Sequence, residues 1–238
     1  MKYYSDQKTL NKYSKDRSLY QIKPSCVAYP KTEHELREVI KFAKKNKLSI
    51  IPRGGGTGLS GAAIGNGIII DFTKYFTYVY NIGKTTKLQS GILLKKLRPL
   101  IEKENYMIPS VPLHGDCAIG GNVSTRSVGP GTLKYGTMDS LVKSVRGVLS
   151  DGRTLDTSEN IHQDIESKML RLQKQIKKDK KLINYLKKRP FIAGGYNLKA
   201  FLKYKNIKNL ITHLIVGSTG TLMLLTEVEL SLPKHKEI

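Results

Sequence analysis

The chain has 238 residues, and its 41 lysines and arginines outnumber 19 aspartates and glutamates, which gives a formal charge of +22. Apolar runs such as Ile68-Ile69-Ile70 are far shorter than the roughly 20 residues of a membrane-spanning helix, and the amino terminus lacks the apolar stretch of a signal peptide. Two cysteines, Cys26 and Cys117, are too few for a disulfide framework or a zinc site built from cysteines alone. We therefore expect a cytoplasmic protein, with peripheral membrane contact as an alternative.

The positive charge has two interpretations. Only nine of the 41 basic residues are arginine, the residue that nucleic-acid sites favour for bidentate contacts. Lysines are spread over nearly every segment, with one dense stretch over 174–188. This distribution favours lysine-rich solvated faces, and a surface for a polyanion or an anionic membrane stays as the alternative.

In chain order, a polar arm over 1–22 comes first. Thr32 and Glu35 form a capping box that starts a helix, and the apolar residues behind it follow helical spacing. Glycines dominate the segment 54–61 between two predicted strands. The elements predicted here are a strand over 26–29, a helix over 32–46, and strands over 48–52 and 67–71. The pattern is a β-α-β unit, and a glycine loop connects it to one further strand.

The rest of the chain predicts a second set of elements. Pro99 should kink or split its helix, because proline removes a backbone N–H group. Asp151-Gly152 is a hairpin signal between two strands. The elements are a helix over 91–104, strands over 142–149 and 154–155, a cationic amphipathic helix over about 164–188, and a final strand pair over 214–216 and 222–232. We interpret the cationic helix as lying on the domain with a solvated lysine face, and a membrane-binding helix stays as the less favoured alternative.

Three glycine-rich loops carry the strongest functional signal: 53–61, 115–137 and 217–221. Gly56-x-Gly58-x-x-Gly61 formally matches the dinucleotide fingerprint, but no helix follows it before the next strand, which excludes a Rossmann motif. No Gly-Lys-Ser/Thr sequence closes the cluster, so a P-loop is excluded too. Backbone N–H groups of such a loop can bind a pyrophosphate without a helix. Together the three loops would form a groove suited to a dinucleotide, in which Arg53 either adds charge or supports the loop.

The flanks of these loops match a known family in order along the chain. The matching segments are Pro52-Arg53-Gly54-Gly55-Gly56-Thr57-Gly58-Leu59-Ser60-Gly61, Cys117-Ala118-Ile119-Gly120-Gly121-Asn122-Val123-Ser124-Thr125, Lys134-Tyr135-Gly136-Thr137, Leu149-Ser150-Asp151-Gly152-Arg153, Gly195-Tyr196-Asn197-Leu198 and Val216-Gly217-Ser218-Thr219-Gly220-Thr221-Leu222. They resemble the FAD-linked oxidase family, which has the vanillyl-alcohol-oxidase, or PCMH-type, flavoprotein fold. Within that family the chain is similar to D-lactate, glycolate and D-2-hydroxyglutarate dehydrogenases.

The resemblance implies an α+β protein with a PCMH-type FAD-binding fold of two α/β subdomains. The implied regions are an N-terminal arm over 1–22, an FAD-binding domain over 23–232 with subdomains over about 23–80 and 81–232, and a tail over 233–238. The first glycine loop would hold the FAD pyrophosphate, 112–136 would line the isoalloxazine and ribityl chain, and 217–226 would lie near the adenosine half.

The resemblance also implies which residues bind FAD. They are Pro52, Arg53, Gly54, Gly55, Gly56, Thr57, Gly58, Leu59, Ser60, Pro112, Asp116, Cys117, Ile119, Gly120, Gly121, Asn122, Ser124, Thr125, Gly129, Tyr135, Gly136, Gly217, Gly220, Leu225 and Thr226. We expect non-covalent FAD, because the first loop lacks the histidine through which some relatives attach it. No catalytic residue or metal ligand can be carried over, and His114 is the one histidine expected near the flavin.

The chain departs from the family in two respects. Val128 stands where a glycine is usual beside the flavin, Met223 replaces a glycine where backbone must approach closely, and Asp139-Ser140 replaces an Arg-Asp pair. Each exchange is expected to weaken FAD binding unless the backbone shifts. The sequence also stops at Ile238, where these enzymes continue into a substrate-binding cap domain. We expect that domain to be absent, with a separately encoded cap domain as a partner.

These observations give three functional hypotheses. The first is the FAD-binding domain of a 2-hydroxy-acid dehydrogenase or oxidase, in which hydride passes from a small 2-hydroxy acid to flavin N5. The second is a truncated or split-gene remnant that keeps the fold but has no turnover alone. The third is a basic module that binds a polyanion or an anionic membrane surface, with no specific nucleic acid expected.

Overall fold

The computed structural model describes residues 1–189 and 195–235. Its strands form two sheets, the first with the order β1-β2-β4-β3 and the second with the order β5-β6-β9-β7-β8. The strands are β1 (Tyr3–Tyr4), β2 (Cys26–Ala28), β3 (Ile50–Arg53), β4 (Ile68–Asp71), β5 (Val79–Asn81), β6 (Thr85–Gln89), β7 (Val142–Val148), β8 (Thr154–Asp156) and β9 (Leu224–Ser231). The chain passes from the first sheet to the second between Asp71 and Val79. Residues 236–238 of the predicted tail lie outside the described residues.

Helices flank both sheets. They are α1 (Gln7–Tyr13), α2 (Glu33–Lys45), α3 (Leu94–Lys103), α4 (Ile119–Ser124), α5 (Thr132–Tyr135), α6 (Gln163–Lys178), α7 (Lys180–Lys188), α8 (Ala200–Lys203) and α9 (Ile207–Ile215), with a short 3-10 helix at Met138–Ser140. The predicted α+β class is therefore confirmed. In the part of the chain that the structure describes, no helix is both long and apolar enough to cross a membrane.

The first sheet is organised around β4, whose four residues are all buried. β2 and β3 pair with it in parallel, and β1 adds to β2 in the antiparallel direction. The predicted capping box starts α2, because the Thr32 side chain accepts a hydrogen bond from the Glu35 N–H group. The buried face of α2 then packs on β4, as the apolar spacing predicts.

The second sheet is antiparallel, with β9 between β6 and β7. α3 and α9 cover it and contribute apolar side chains such as Leu97 and Ile211 to its core. Pro99 neither splits nor ends α3. Pro99 has no N–H group to donate to the carbonyl group of Lys95, four residues earlier. Both residues are exposed, so water can donate a hydrogen bond to that carbonyl group.

The two sheets are joined through Glu33 at the start of α2. Its carboxylate accepts hydrogen bonds from Arg146 Nε (2.9 Å) and from Thr226 Oγ1 (2.9 Å), which belong to β7 and β9. Arg37, one turn later, donates to Thr154 Oγ1 at 2.6 Å. Burial alone would raise the pKa of Glu33, but the hydrogen bonds from Arg146 and Thr226 lower it below its usual value. The ionised carboxylate is thus the form that holds the sheets together.

Several predicted elements are wrong in type or extent. Residues 214–215 end α9 and do not form a strand, because Leu210, Ile211 and Ile215 lie on the buried side of a helix capped by Asn206. The predicted cationic helix is two helices, since Asp179 leaves the helical conformation and caps α7 by accepting from Leu182 N–H. The second glycine loop contains α4 and α5, and β5 and β6 were not predicted.

Candidate functional site

A cleft is lined by segments that follow strands of both sheets. One wall is the glycine segment after β3, together with Phe72 at the end of β4. The other wall comes from the second sheet and includes Ser90, which follows β6, and Leu225 of β9. The cleft has a volume of about 380 Å³ and is partly open to solvent. That volume lies within the roughly 300–1,000 Å³ of typical small-ligand pockets.

The three glycine-rich loops meet along this cleft. A Cβ atom added to Gly55 would lie 1.7 Å from the Asp116 carbonyl oxygen, and one added to Gly54 would lie 2.8 Å from Ala118 Cβ. In the third loop, a Cβ atom on Gly220 would lie 2.4 Å from Pro52 Cγ, and Gly220 has a φ of +76°. Side chains at these positions would push the loops apart. The glycines are therefore required for the loops to touch each other.

The first loop presents unused hydrogen-bond donors to the cleft. Gly55, Gly56, Thr57 and Gly58 line it, and over residues 1–189 and 195–235 none of their N–H groups donates to a protein acceptor. Consecutive backbone N–H groups of this kind form an anion-binding concavity. The loop is therefore suited to phosphate oxygens.

Arg53 supports the first glycine loop through contacts with neighbouring segments. Its guanidinium group donates to the carbonyl oxygens of Lys15 (2.8 Å) and Ala63 (3.0 Å) and lies over the ring of Tyr13. Burial lowers the pKa of Arg53 from its usual value. An atom added at Gly56 would meet the guanidinium at 2.4 Å. The sequence left two roles open for Arg53, adding charge to the ligand site or supporting the loop. The geometry favours loop support, because main-chain carbonyl groups already accept hydrogen bonds from its guanidinium group.

Asn122 provides a second unused donor. Asn122 is 4% exposed and lines the cleft, and its amide nitrogen Nδ2 has no hydrogen-bond partner within residues 1–189 and 195–235. Leaving a buried donor unsatisfied costs about 1–3 kcal/mol. A ligand with an acceptor oxygen at this position would remove that cost.

Three polar side chains from two loops contact one another in the cleft. The thiol of Cys117 lies 3.2 Å from Thr57 Oγ1 and 3.5 Å from His114 Nε2. All three residues line the cleft. His114, the histidine expected near the ligand, is therefore placed in the cleft but is engaged with Cys117.

The structure brings most of the predicted site residues together. Those that line the cleft are Pro52, Arg53, Gly54, Gly55, Gly56, Thr57, Gly58, Leu59, Ser60, Pro112, Cys117, Gly120, Gly121, Asn122, Ser124, Thr125, Gly220 and Leu225. A Cβ atom added at Gly58 or Gly121 would meet no heavy atom within 4 Å, so a side chain there would enter the open space.

The remaining predicted site residues have other contacts and do not line the cleft. They are Asp116, Ile119, Gly129, Tyr135, Gly136, Gly217 and Thr226. Asp116 pairs with Lys95 and Arg17, and the hydrogen bond from Lys95 lowers its pKa. Ile119 is fully buried in the core of the second sheet, and the Thr226 hydroxyl donates a hydrogen bond to Glu33. Gly217 gives room for the buried Arg126 guanidinium.

Other lining residues were not among those predicted to bind FAD, although the sequence placed His114 near the flavin and 217–226 near the adenosine half. They are Ala62, Ala63, Phe72, Ser90, His114, Ala118, Ser127, Thr219 and Met223. Thr219 lies in the third glycine loop and Met223 lies beside it, so that loop was a usable signal for both lining residues. Ser90 follows a strand that was not predicted from the sequence. Val128, expected beside the ligand, is 51% exposed and does not line the cleft. Asp139, another position at which the chain departs from the family, does not line the cleft either, and it accepts a hydrogen bond from His213 at 2.8 Å.

Comparison with known proteins identifies the family. Residues 24–158, more than half of the chain, match the family described as "FAD binding domain". The matched segment contains the first two glycine loops and the strands β2 to β8 that carry them.

Curated relatives match over most of the chain. A D-2-hydroxyglutarate dehydrogenase of Haemophilus influenzae is 28% identical over 96% of this chain and 24% of its own length. A D-lactate dehydrogenase of Archaeoglobus fulgidus is 28% identical over 87% of this chain and 38% of its own length. The chain thus spans about a quarter of the length of the first of these relatives.

A solved structure shows the same fold. An alkyldihydroxyacetonephosphate synthase superposes with a TM-score of 0.67 over 98% of this chain and 38% of that protein, at 20% identity. The cleft fits the cofactor that the family name states, since it combines a volume typical of ligand sites with donors for phosphate and carbonyl oxygens that have no partner among the described residues. The chain belongs to the FAD binding domain family.

Proposed function

We propose that this chain binds FAD non-covalently in the cleft and acts as the flavin-binding part of a 2-hydroxy-acid dehydrogenase. The observation that carries the proposal is the run of unused N–H groups from Gly55 to Gly58, which matches the two phosphates of FAD. Bound FAD would supply the hydride acceptor at flavin N5. The names of the relatives support a 2-hydroxy acid such as D-2-hydroxyglutarate or D-lactate as the substrate.

The chain's own residues position the cofactor. Gly55, Gly56 and Gly58 donate backbone hydrogen bonds to the pyrophosphate, and Arg53 holds that loop in shape through its carbonyl contacts. Asn122 donates from its side-chain amide to an acceptor oxygen of the ligand. The apolar walls at Phe72 and Leu225 exclude water from the bound ring system.

Non-covalent binding is supported by the first loop, which has Thr57 and no histidine. The two nucleophilic side chains that line the cleft, His114 and Cys117, lie in contact with each other. In this proposal they pack beside the cofactor and form no bond to it.

Recognition of the substrate requires residues from outside the cleft. A 2-hydroxy-acid carboxylate needs a cation or several donors, yet among the described residues that line the cleft Arg53 is the one lysine or arginine. Its guanidinium is already bound to main-chain carbonyl groups. We therefore propose that a separate substrate-binding domain or chain supplies the carboxylate-binding residues.

The first experiment is a titration of the purified full chain with FAD, followed by absorbance and flavin fluorescence. Saturable binding of one FAD per chain is expected, and acid precipitation should release all of the flavin into the supernatant. No binding would overturn the proposal as a whole. Flavin retained in the pellet would overturn only its non-covalent part.

A second experiment addresses the substrate. The FAD-loaded chain is mixed anaerobically with D-2-hydroxyglutarate or with D-lactate, and bleaching of the flavin band is measured. No bleaching by the chain alone is expected, because the carboxylate lacks a binding cation. Rapid bleaching would show that this chain binds the substrate by itself and would contradict the need for a second domain.

A further inference from the structure

A dense stretch of positive charge lies in α6 and α7, between the second and third glycine-rich loops. Residues 168–189, here called the cationic segment, contain ten lysines and arginines and a single carboxylate, Asp179. Nine of the 22 net positive charges of the chain are therefore concentrated in this stretch.

The cations of this segment lack carboxylate partners in the part of the chain that the structure describes. Over residues 1–189 and 195–235, none of the ten forms a salt bridge, and all ten are exposed. By contrast, Arg146, Arg153 and Lys87 in the second sheet are each paired with a carboxylate. Unpaired like charges repel each other, so this concentration is unfavourable for the isolated domain and would be relieved by an anionic partner.

The cations form a continuous face of α6. Lys168, Arg171, Lys174 and Lys178 recur every three or four residues and so lie on one side of the helix. The opposite side is fixed to the domain, because Gln173 is buried and donates to the carbonyl oxygens of Phe201 and Tyr204, both at 2.9 Å. The charged face of α6 is therefore held outward.

Apolar side chains are exposed among these charges. Leu170 and Leu172 are each 40% exposed, and Tyr185 is 52% exposed with the Arg189 guanidinium over its ring. Leu170 lies in one column of the helix with Lys174 and Lys177. A surface that mixes lysines with exposed leucine and tyrosine is typical of helices that lie on an anionic membrane.

We propose that the cationic segment binds the surface of an anionic lipid bilayer. Eight of its ten cations are lysine, a hydrated point charge, and arginine, which dominates base-edge contacts in nucleic acids, contributes two. None of its residues lines the cleft, so membrane binding and cofactor binding use separate surfaces. This inference does not depend on the proposed function.

The test uses the full chain and sedimentation with vesicles of phosphatidylcholine that contain roughly one quarter phosphatidylglycerol, as a mimic of an anionic leaflet. The variant carries Lys174→Gln, Lys177→Gln, Lys178→Gln and Lys181→Gln. A matched control carries Lys8→Gln, Lys41→Gln, Lys44→Gln and Lys45→Gln, which removes the same charge from other exposed positions. Circular dichroism verifies that both variants are folded.

The unmodified chain and the control should bind the anionic vesicles alike. Each lysine near an anionic surface contributes roughly fivefold in affinity, so the segment variant should bind at least about 50-fold more weakly. Equal losses in both variants would overturn the proposal, because net charge alone would then explain binding. Equal binding to pure phosphatidylcholine would also overturn it, as would tighter binding to single-stranded RNA at the same salt concentration.

Discussion

The cleft and the cationic segment differ in how they present positive charge. The cleft has a single lysine or arginine among its described lining residues. Its donors are the side-chain amide of Asn122 and main-chain N–H groups of a loop whose glycines allow close packing on neighbouring segments. The cationic segment has ten charged side chains and no such packing requirement. The comparison teaches that the net charge of the chain does not mark its cofactor site. Variants that affect one region should therefore leave the other intact.

The largest effect should come from filling the cleft. Gly121→Leu adds a side chain where a Cβ atom meets nothing within 4 Å, so the fold should accept it while the ligand space is lost. We expect FAD to bind at least 100-fold more weakly, a change of about 3 kcal/mol, with unchanged vesicle binding and melting temperature.

The control for this variant is Gly83→Leu. A Cβ atom at Gly83 also has room, with its nearest neighbour at 3.8 Å, but Gly83 is outside the cleft. FAD affinity should stay the same in this control. Equal FAD affinity in Gly121→Leu and the unmodified chain would show that the ligand lies elsewhere.

A smaller effect should follow from separating the walls of the cleft. Glu33 is 17% exposed and joins α2 to Arg146 and Thr226 of the second sheet. Glu33→Gln removes the charge, and we expect a loss of about 2 kcal/mol in the free energy of unfolding, measured with urea at neutral pH. FAD affinity should fall as well, whereas vesicle binding should not. Glu38→Gln, on the exposed side of the same helix, should cost far less.

The pH dependence of stability tests the same contact. The pKa of Glu33 is lower in the folded protein than its usual 4.5. Its contribution is therefore fully present above that usual value and is lost as the pH falls through the lower folded pKa. The unmodified chain should lose part of its stability over this acidic range, and Glu33→Gln should lose less. Parallel pH curves would contradict the role given to Glu33.

The smallest effect concerns the unused amide of Asn122. Asn122→Leu replaces a buried donor without a partner, so the free protein should gain about 1 kcal/mol in stability. The same change should weaken FAD binding roughly tenfold, because one hydrogen bond to the ligand is lost. Thermal unfolding with and without FAD measures both effects. Loss of stability together with unchanged FAD affinity would argue against a donor role for Asn122.

Much of this arrangement was predictable from the sequence. The capping box at Thr32 and the apolar spacing behind it predicted α2, and the glycine clusters predicted three loops that do meet. Such features depend on neighbouring residues along the chain or on a backbone conformation that only glycine readily adopts.

Other features depend on contacts between distant residues. The sequence could not show that Thr226 bonds to Glu33, 193 positions away, or that Gly217 accommodates Arg126. The helix α9 was mistaken for a strand because a short apolar run fits either type until its burial is known. The break at Asp179 was likewise hidden, because the apolar spacing continues through it.

The most direct test of the account is the affinity of the full chain for FAD, measured by titration at low and at high salt. The cleft offers main-chain N–H groups and the Asn122 amide, and the Arg53 guanidinium is bound to main-chain carbonyl groups. A roughly tenfold rise in ionic strength should therefore change the dissociation constant by less than about fivefold. Saturable binding of one FAD per chain with this weak salt dependence is predicted. No binding, or binding that disappears as salt rises, would contradict it.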